Sequence, residues 1–218
     1  MQQPTRLMFE PFYPLKVPDY AGFDNFLYMR AEDRDPVLEA FCERVFTGRI
    51  RNLWIDNTVG VLRPKARIVK DVRTNLLLKW ISCRYPELPL ILLLRHPCSV
   101  VLSRMERGWT ADQDISEMMA QEKLVEDFLG KWRDVINNAE SEEEKHAIVW
   151  SIHNAIPLAQ FSDGGISVIK YEDFVSDTSR CLGELLDAIG WDFDDSRRSF
   201  FEQPSRTSSL STALEGAF

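Results

Sequence analysis

The chain has 218 residues, 44% of them hydrophobic and 11% aromatic, with a formal net charge of −8. That size and composition suit one domain with an ample core, and a charged share of 28% is ordinary for a soluble protein. The acidic balance argues against broad nucleic-acid binding, which needs a basic face, yet leaves room for a local basic pocket that takes a small anion.

Cys42, Cys83, Cys98 and Cys181 show no CxxC spacing. They read as free thiols, mostly buried, in a reducing compartment. His96, His146 and His153 lack metal-ligand spacing; His146 and His153 read as surface or half-buried positions on one helix face. No apolar run reaches about 18 residues, so no membrane-spanning helix is expected. Met1-Gln-Gln-Pro4 has neither a basic nor an apolar leader segment, and the cytoplasm is the expected location.

Pro4, Pro11, Pro14 and Pro18 disfavour helix near the start, and Leu7–Phe9 predicts a short strand with Glu10 at its end. Asp35-Pro36 opens a helix whose apolar face is Leu38, Phe41, Cys42 and Val45, and Gly48 closes it. Residues 49–66 read as loop and Arg67–Val69 as a second strand ending at Lys70-Asp71. Thr74 is expected to cap a helix over 75–84 that buries Leu77, Trp80 and Ile81. Leu90–Leu94 is an unbroken apolar run, which predicts a strand buried on both faces. Strand, helix and strand in this order predict a parallel pair with a right-handed crossover.

A helical stretch from Asp112 or Asp114 to about Asn138 follows, with Val125, Phe128, Leu129, Trp132 and Ile136 in period. Ser141-Glu-Glu-Glu144 is a capping box before another helix, which Pro157 should kink or end. Asp163-Gly-Gly165 is a turn, Ile166–Ile169 a strand, and 178–189 a helix presenting Leu182, Leu185, Leu186 and Ile189. The alternation predicts an α/β fold: three layers, a mainly parallel sheet flanked by helices, in a single domain over 1–218.

Ligands of such sheets bind at the carboxyl ends of the strands. Glu10, Lys70–Arg73, Arg95 and Tyr171–Asp173 stand at those ends. Arg95 can grip a phosphate with two parallel hydrogen bonds, or form a salt bridge at its strand end. Ser103, eight residues on, can donate to the same phosphate or bond back to its own helix. Trp109 can line an acceptor groove or join the core with the other tryptophans.

The segment Leu94-Arg-His-Pro-Cys-Ser-Val-Val-Leu-Ser103 resembles the 3′-phosphate-binding motif of PAPS-dependent sulfotransferases. Tyr171-Glu-Asp-Phe174, Phe9-Glu-Pro-Phe12 and Ile68-Val-Lys-Asp-Val-Arg73 resemble further segments of that family, and the likeness covers most of residues 7–210 in order. The resemblance implies a P-loop-like fold and transfer of a sulfonate group from PAPS to a hydroxyl or amine of a small-molecule or glycan acceptor. Arg95, Ser103 and Tyr171, with Arg206 and Ser208 in the polar stretch Ser205–Ser209, would contact the nucleotide. Glu10 is the candidate base, unless its carboxylate is held by local backbone N–H groups. Lys70 is the candidate cation, unless it pairs with Asp71 or Glu172. Arg73 and Trp109 would contact the acceptor, whose choice is expected to lie in residues 11–34 and 104–115. No metal and no nucleic-acid partner are implied.

One family element has no counterpart: the Gly/Ser/Thr-rich loop that cradles the 5′-phosphosulfate after the first strand. The ten glycines form no such cluster. Two readings follow. The first places that strand and loop upstream, making the domain incomplete at its N-terminus and also shortened at its C-terminus. The second is a non-catalytic nucleotide-binding or scaffolding relative, in which a second copy or another partner covers the open sheet edge. A P-loop kinase is disfavoured because no Walker lysine is present.

Overall fold

Alternating side chains along Thr5–Phe9 make the first strand, β1: Arg6 and Met8 are buried while Leu7 and Phe9 are only half-buried. The computed structural model describes residues 5–57 and 64–191. β1 pairs in parallel with β2 (Ala66–Lys70), Thr5 opposite Ala66 and Phe9 opposite Lys70. The first helix, α1 (Pro36–Phe46), forms as its sequence dictates. The Asp35 side chain accepts from the N–H groups of Val37 and Leu38, Pro36 occupies the first turn, and Leu38, Phe41, Cys42 and Val45 are buried. They pack with Met8, Phe12, Tyr20 and Trp80 in one cluster.

The link after β2 starts differently from expectation. Thr74 makes no side-chain cap, because the first turn is a 3₁₀ turn over Asn75–Leu77 that runs into α2 (Leu78–Arg84). This link packs two ways. Leu77, Trp80 and Ile81 join the cluster around β1 and α1, whereas Leu78 packs with Leu92 and Phe161. It therefore carries the chain from one sheet to another, and the expected pairing of the second and third strands is not formed. β3 (Ile91–Leu94) pairs instead with β4 (Ser167–Lys170), again in parallel, giving two two-stranded sheets, β1–β2 and β3–β4.

Burial of β3 on both faces is also overturned. Leu92 is covered, but Ile91 is 41% and Leu93 57% exposed. Their side chains point to the opposite face, over which the described residues lay no second layer.

α3 (Pro97–Glu106) buries no residue. The helical stretch expected to Asn138 is broken into α4 (Asp112–Met119), α5 (Glu122–Leu124), a π turn over Val125–Leu129, a 3₁₀ turn over Gly130–Trp132 and α6 (Arg133–Asn137). One break falls at Gln121, whose amide accepts from Tyr28 N–H and donates to the Phe26 carbonyl. Another falls at Gly130, and Trp132 is left 52% exposed rather than in the apolar face.

α7 (Glu142–Gln160) begins with the full Ser141–Glu144 capping box. Pro157 neither ends it nor leaves a carbonyl stranded. Proline lacks the N–H that would reach the carbonyl four residues back, that of His153. Asn75 Nδ2 supplies the missing donor, at 3.0 Å from His153 O. After β4 come α8 (Tyr171–Ser176), where strand-end residues were expected, and α9 (Thr178–Ala188), in which Cys181 is buried and the leucines are partly so.

Cys42 and Cys181 are buried, but Cys83 and Cys98 are exposed. Cys98 lies on a helix that buries nothing, and Cys83 faces outward from α2. Among the described residues no helix is long and apolar enough to cross a membrane.

Asn75→Ala is expected to destabilise the protein by about 1–2 kcal/mol by leaving the His153 carbonyl without a donor. In a Pro157→Ala background that cost should shrink, because an alanine there restores the helical N–H. Equal costs in both backgrounds by urea denaturation would contradict the assignment.

Candidate functional site

Three groups of polar side chains collect around the carboxyl ends of the strands and the helix that follows β3. The first is built on β1 and β2. Glu10 leaves β1 with φ of 43°, a left-handed conformation that costs a non-glycine residue energy. Its N–H donates to the Lys70 carbonyl at 2.7 Å. One carboxylate oxygen accepts from Lys70 Nζ at 2.5 Å and the other from Arg73 Nη1 at 2.6 Å, with the Glu10 side chain only 9% exposed.

Asp71 makes this meeting happen. Its Oδ1 accepts from Arg73 N–H, an Asx turn that swings Arg73 back toward Glu10, and its Oδ2 accepts from Phe12 N–H. Burial pushes the Asp71 carboxyl up to about 6. Arg73 is then clamped between Asn25, at 2.9 Å, and the Tyr13 ring, 3.6 Å away. The Lys70 ammonium lies over the Phe9 ring at 4.7 Å.

The second group closes β3–β4. The Arg95 guanidinium lies 4.9 Å from the centre of the Tyr171 ring, and among the described residues no carboxylate is in ion-pair reach of it. The backbone is pinned on both sides. Trp150 Nε1 donates to the Arg95 carbonyl, and His96 N–H donates to a Glu172 oxygen. The latter bond holds the Glu172 carboxyl below its usual range.

The third group holds α3. Arg104 Nε donates to His146 Nδ1 at 3.0 Å and Nη2 to Asp114 at 2.5 Å. A permanently charged donor on Nδ1 places the ring hydrogen on Nε2, facing the Trp109 carbonyl at 3.0 Å. Trp109 is 53% exposed, with the guanidinium groups of Arg104 and Arg107 at 5.5 and 5.6 Å from its ring.

His153 feels the charges of Arg73 of the first group and Arg104 of the third. Its ring packs 4.4 Å from Phe26, and its Nε2 is shut off from solvent without a partner among the described residues. Burial, reinforced by Arg104 and Arg73, pushes it down to about 3.

Of the residues picked from sequence, Glu10, Lys70 and Arg73 are brought together, as are Arg95 and Tyr171. Lys70 pairs with Glu10 rather than with Asp71 or Glu172, and Glu10 is held by cations rather than by local N–H groups. Ser103 lies on α3 against Arg107. Arg206 and Ser208 lie outside the described residues. Sequence reasoning gave no site role to Asp71, Asn25, Tyr13, Arg104 or His146. His146 is fully buried rather than a surface or half-buried position. Asp71 carried a local signal, an Asp two residues before an Arg at a strand end; the others meet only through the fold. One groove of about 270 Å³ runs along β4 and α9 and another of about 380 Å³ lies beside the link before β3; Asp173 lines the first, and none of Glu10, Lys70, Arg73, Arg95, Ser103, Trp109 and Tyr171 lines either. The latter residues lie on an open rim outside those grooves.

The sequence model of the sulfotransferase family matches residues 13–195, most of the chain. The protein belongs to the sulfotransferase family. No curated protein and no solved structure matches it.

Glu10→Gln should destabilise the fold by about 3 kcal/mol, since it leaves two cations facing each other without their anion; Lys70's half-exposure keeps the figure at the low end for a broken buried pair. A urea midpoint unchanged from wild type would refute the clustering. His153 gives a pH dependence. Its folded-state value lies below the ordinary 6.5, so the unfolded chain binds the proton more readily. The His153 contribution is retained above about pH 6.5 and lost as pH falls toward 3, by about 2 kcal/mol between pH 7 and 5, while Asp71, raised to about 6, contributes with the opposite sign over the same interval. His153→Phe should flatten that slope in denaturation series at the two pH values.

Proposed function

We propose that the protein transfers a sulfonate group from PAPS to a hydroxyl or amine of a small-molecule or glycan acceptor. The observation that carries this reading is Arg95: a guanidinium at the end of a parallel strand, without a carboxylate partner among the described residues, lying over the ring of Tyr171. Such a group suits a phosphate, and the neighbouring ring suits a purine face. Arg95 and Ser103 would hold the 3′-phosphate and Tyr171 would lie against the adenine. When bound, PAPS supplies the activated sulfonate.

Glu10 takes the proton of the acceptor at its carboxylate, which keeps lone pairs beyond the two engaged by Lys70 and Arg73. Lys70, 44% exposed, carries positive charge to the rim where charge develops on the transferring group. Arg73 fixes Glu10, and Trp109 offers an exposed face to the acceptor.

Backbone N–H groups for the 5′-phosphosulfate would come from a strand and Gly/Ser/Thr-rich loop outside these 218 residues. That added strand would complete a three-layer parallel sheet. The apolar side chains of Ile68, Ile91 and Leu93, 45%, 41% and 57% exposed, suit a flanking layer over the sheet faces. The engagement of both Glu10 oxygens by cations favours the second reading, a relative that binds the nucleotide without turnover.

A thermal-shift titration with PAP separates the outcomes. Wild type should rise in Tm by several degrees at saturation and Arg95→Ala should not. Equal response of the two proteins removes Arg95 from the site. Binding of PAP with no sulfonation of any acceptor in a survey of phenols, sugars and amines selects the non-catalytic reading.

A further inference from the structure

Helical serines and threonines usually return their hydroxyl to a carbonyl three or four residues back. Thr47, Ser151 and Thr178 do so in this protein, bonding the carbonyls of Glu43, Ala147 and Phe174. Ser103 does not. Its hydroxyl oxygen accepts a hydrogen bond from Arg107 Nη1, which also donates to the Ser103 carbonyl at 2.9 Å. The O–H of Ser103 is thus left pointing to no acceptor among the described residues.

Arg107 is itself unusual. In a chain with 34 acidic and 26 basic side chains, most described arginines have a carboxylate in reach. Arg107 is exposed and has none among the described residues. Its position is nonetheless fixed. It sits one helical turn beyond Ser103, where α3 ends. Gly108 follows with φ of 66°, and the N–H groups of Gly108 and Trp109 close the helix on the carbonyls of Met105 and Arg104. That closure turns Trp109 back so that its ring flanks the Arg107 guanidinium at 5.6 Å. The carbonyl of Trp109 is in turn tied to His146. An unneutralised guanidinium and a free hydroxyl donor are therefore held side by side on a short, anchored segment.

We infer that Arg107 is a third ligand of the nucleotide's 3′-phosphate, completing with Arg95 and Ser103 a clasp of two guanidinium groups and one hydroxyl. The inference rests on the proposed donor site and adds a residue to it. With no phosphate present, Arg107 rests on Ser103. With one bound, Arg107 turns its N–H groups to the phosphate oxygens, and the Ser103 O–H donates to the same group. Two guanidinium groups match the double negative charge of a phosphate monoester, which one alone leaves half-neutralised.

The test compares adenosine 3′,5′-bisphosphate with adenosine 5′-monophosphate, which lacks only the 3′-phosphate, by calorimetry on the full chain. Wild type should prefer the bisphosphate strongly. Arg107→Ala should weaken bisphosphate binding about tenfold, leave monophosphate binding within about twofold, and leave the ligand-free Tm unchanged. Arg107→Lys should recover part of the loss, since it keeps the charge but not the fork. If wild type discriminates and Arg107→Ala discriminates equally, this inference is wrong and the donor site stands. If wild type does not discriminate, the donor site itself is wrong and the inference falls with it.

Discussion

The contact on which the rim depends is the double ion pair of Glu10 with Lys70 and Arg73. It joins β1 to β2 just beyond their last paired residues. It also explains why the chain tolerates a left-handed backbone at Glu10. Strain of this kind persists only where the surroundings over-determine it. Three bonds do so here: the Glu10 N–H to Lys70, and one charged bond to each carboxylate oxygen. Arg73 is positioned by Asp71, Asn25 and Tyr13, so the carboxylate inherits its orientation from these side chains as well as from Lys70. A residue this constrained is poorly placed to wander, and in the proposed reaction it would meet the acceptor in one geometry.

Local rules made much of the chain legible. The Asp35-Pro36 start and the Leu38, Phe41, Cys42, Val45 face identify α1 because capping and burial there involve residues close in sequence. The same holds for the Ser141 box and for the strands at Leu7–Phe9 and Arg67–Val69. What failed were statements about which elements touch. The run Leu90–Leu94 is apolar throughout, yet only one face is covered, because composition reports what a strand tolerates and not what packs on it. Pro157 should interrupt α7 by local rules. It does not, because Asn75, 78 positions away from His153 in the chain, meets the stranded carbonyl. Of the candidate site, the strand-end residues were readable from their places after apolar runs. The network of Arg104, Asp114, His146 and Trp109 was not, since it joins α3, α4, α7 and a loop across distances that periodicity does not record.

That network matters because α3 has no fully buried residue. The helix that carries Ser103 and ends at Arg107 is tethered by polar contacts at its two ends. At the start, Trp150 holds the Arg95 carbonyl and Glu172 holds the His96 N–H. At the far end, Arg104 reaches His146 and Asp114. Apolar packing is non-directional and would fix such a helix only loosely in rotation, whereas hydrogen bonds of defined angle fix both its axis and its roll. The proposed phosphate ligands thus ride on an element located by directional bonds, with Trp150 and His146, both on α7, serving as its two anchor points. α7 also carries His153, whose ring feels the charges of Arg73 and Arg104 and whose carbonyl is the one Asn75 ties to the turn before α2. One helix therefore touches both ends of the rim, and the capping box and the bridged proline that keep it continuous over 19 residues are conditions for the proposed site as well as for the fold.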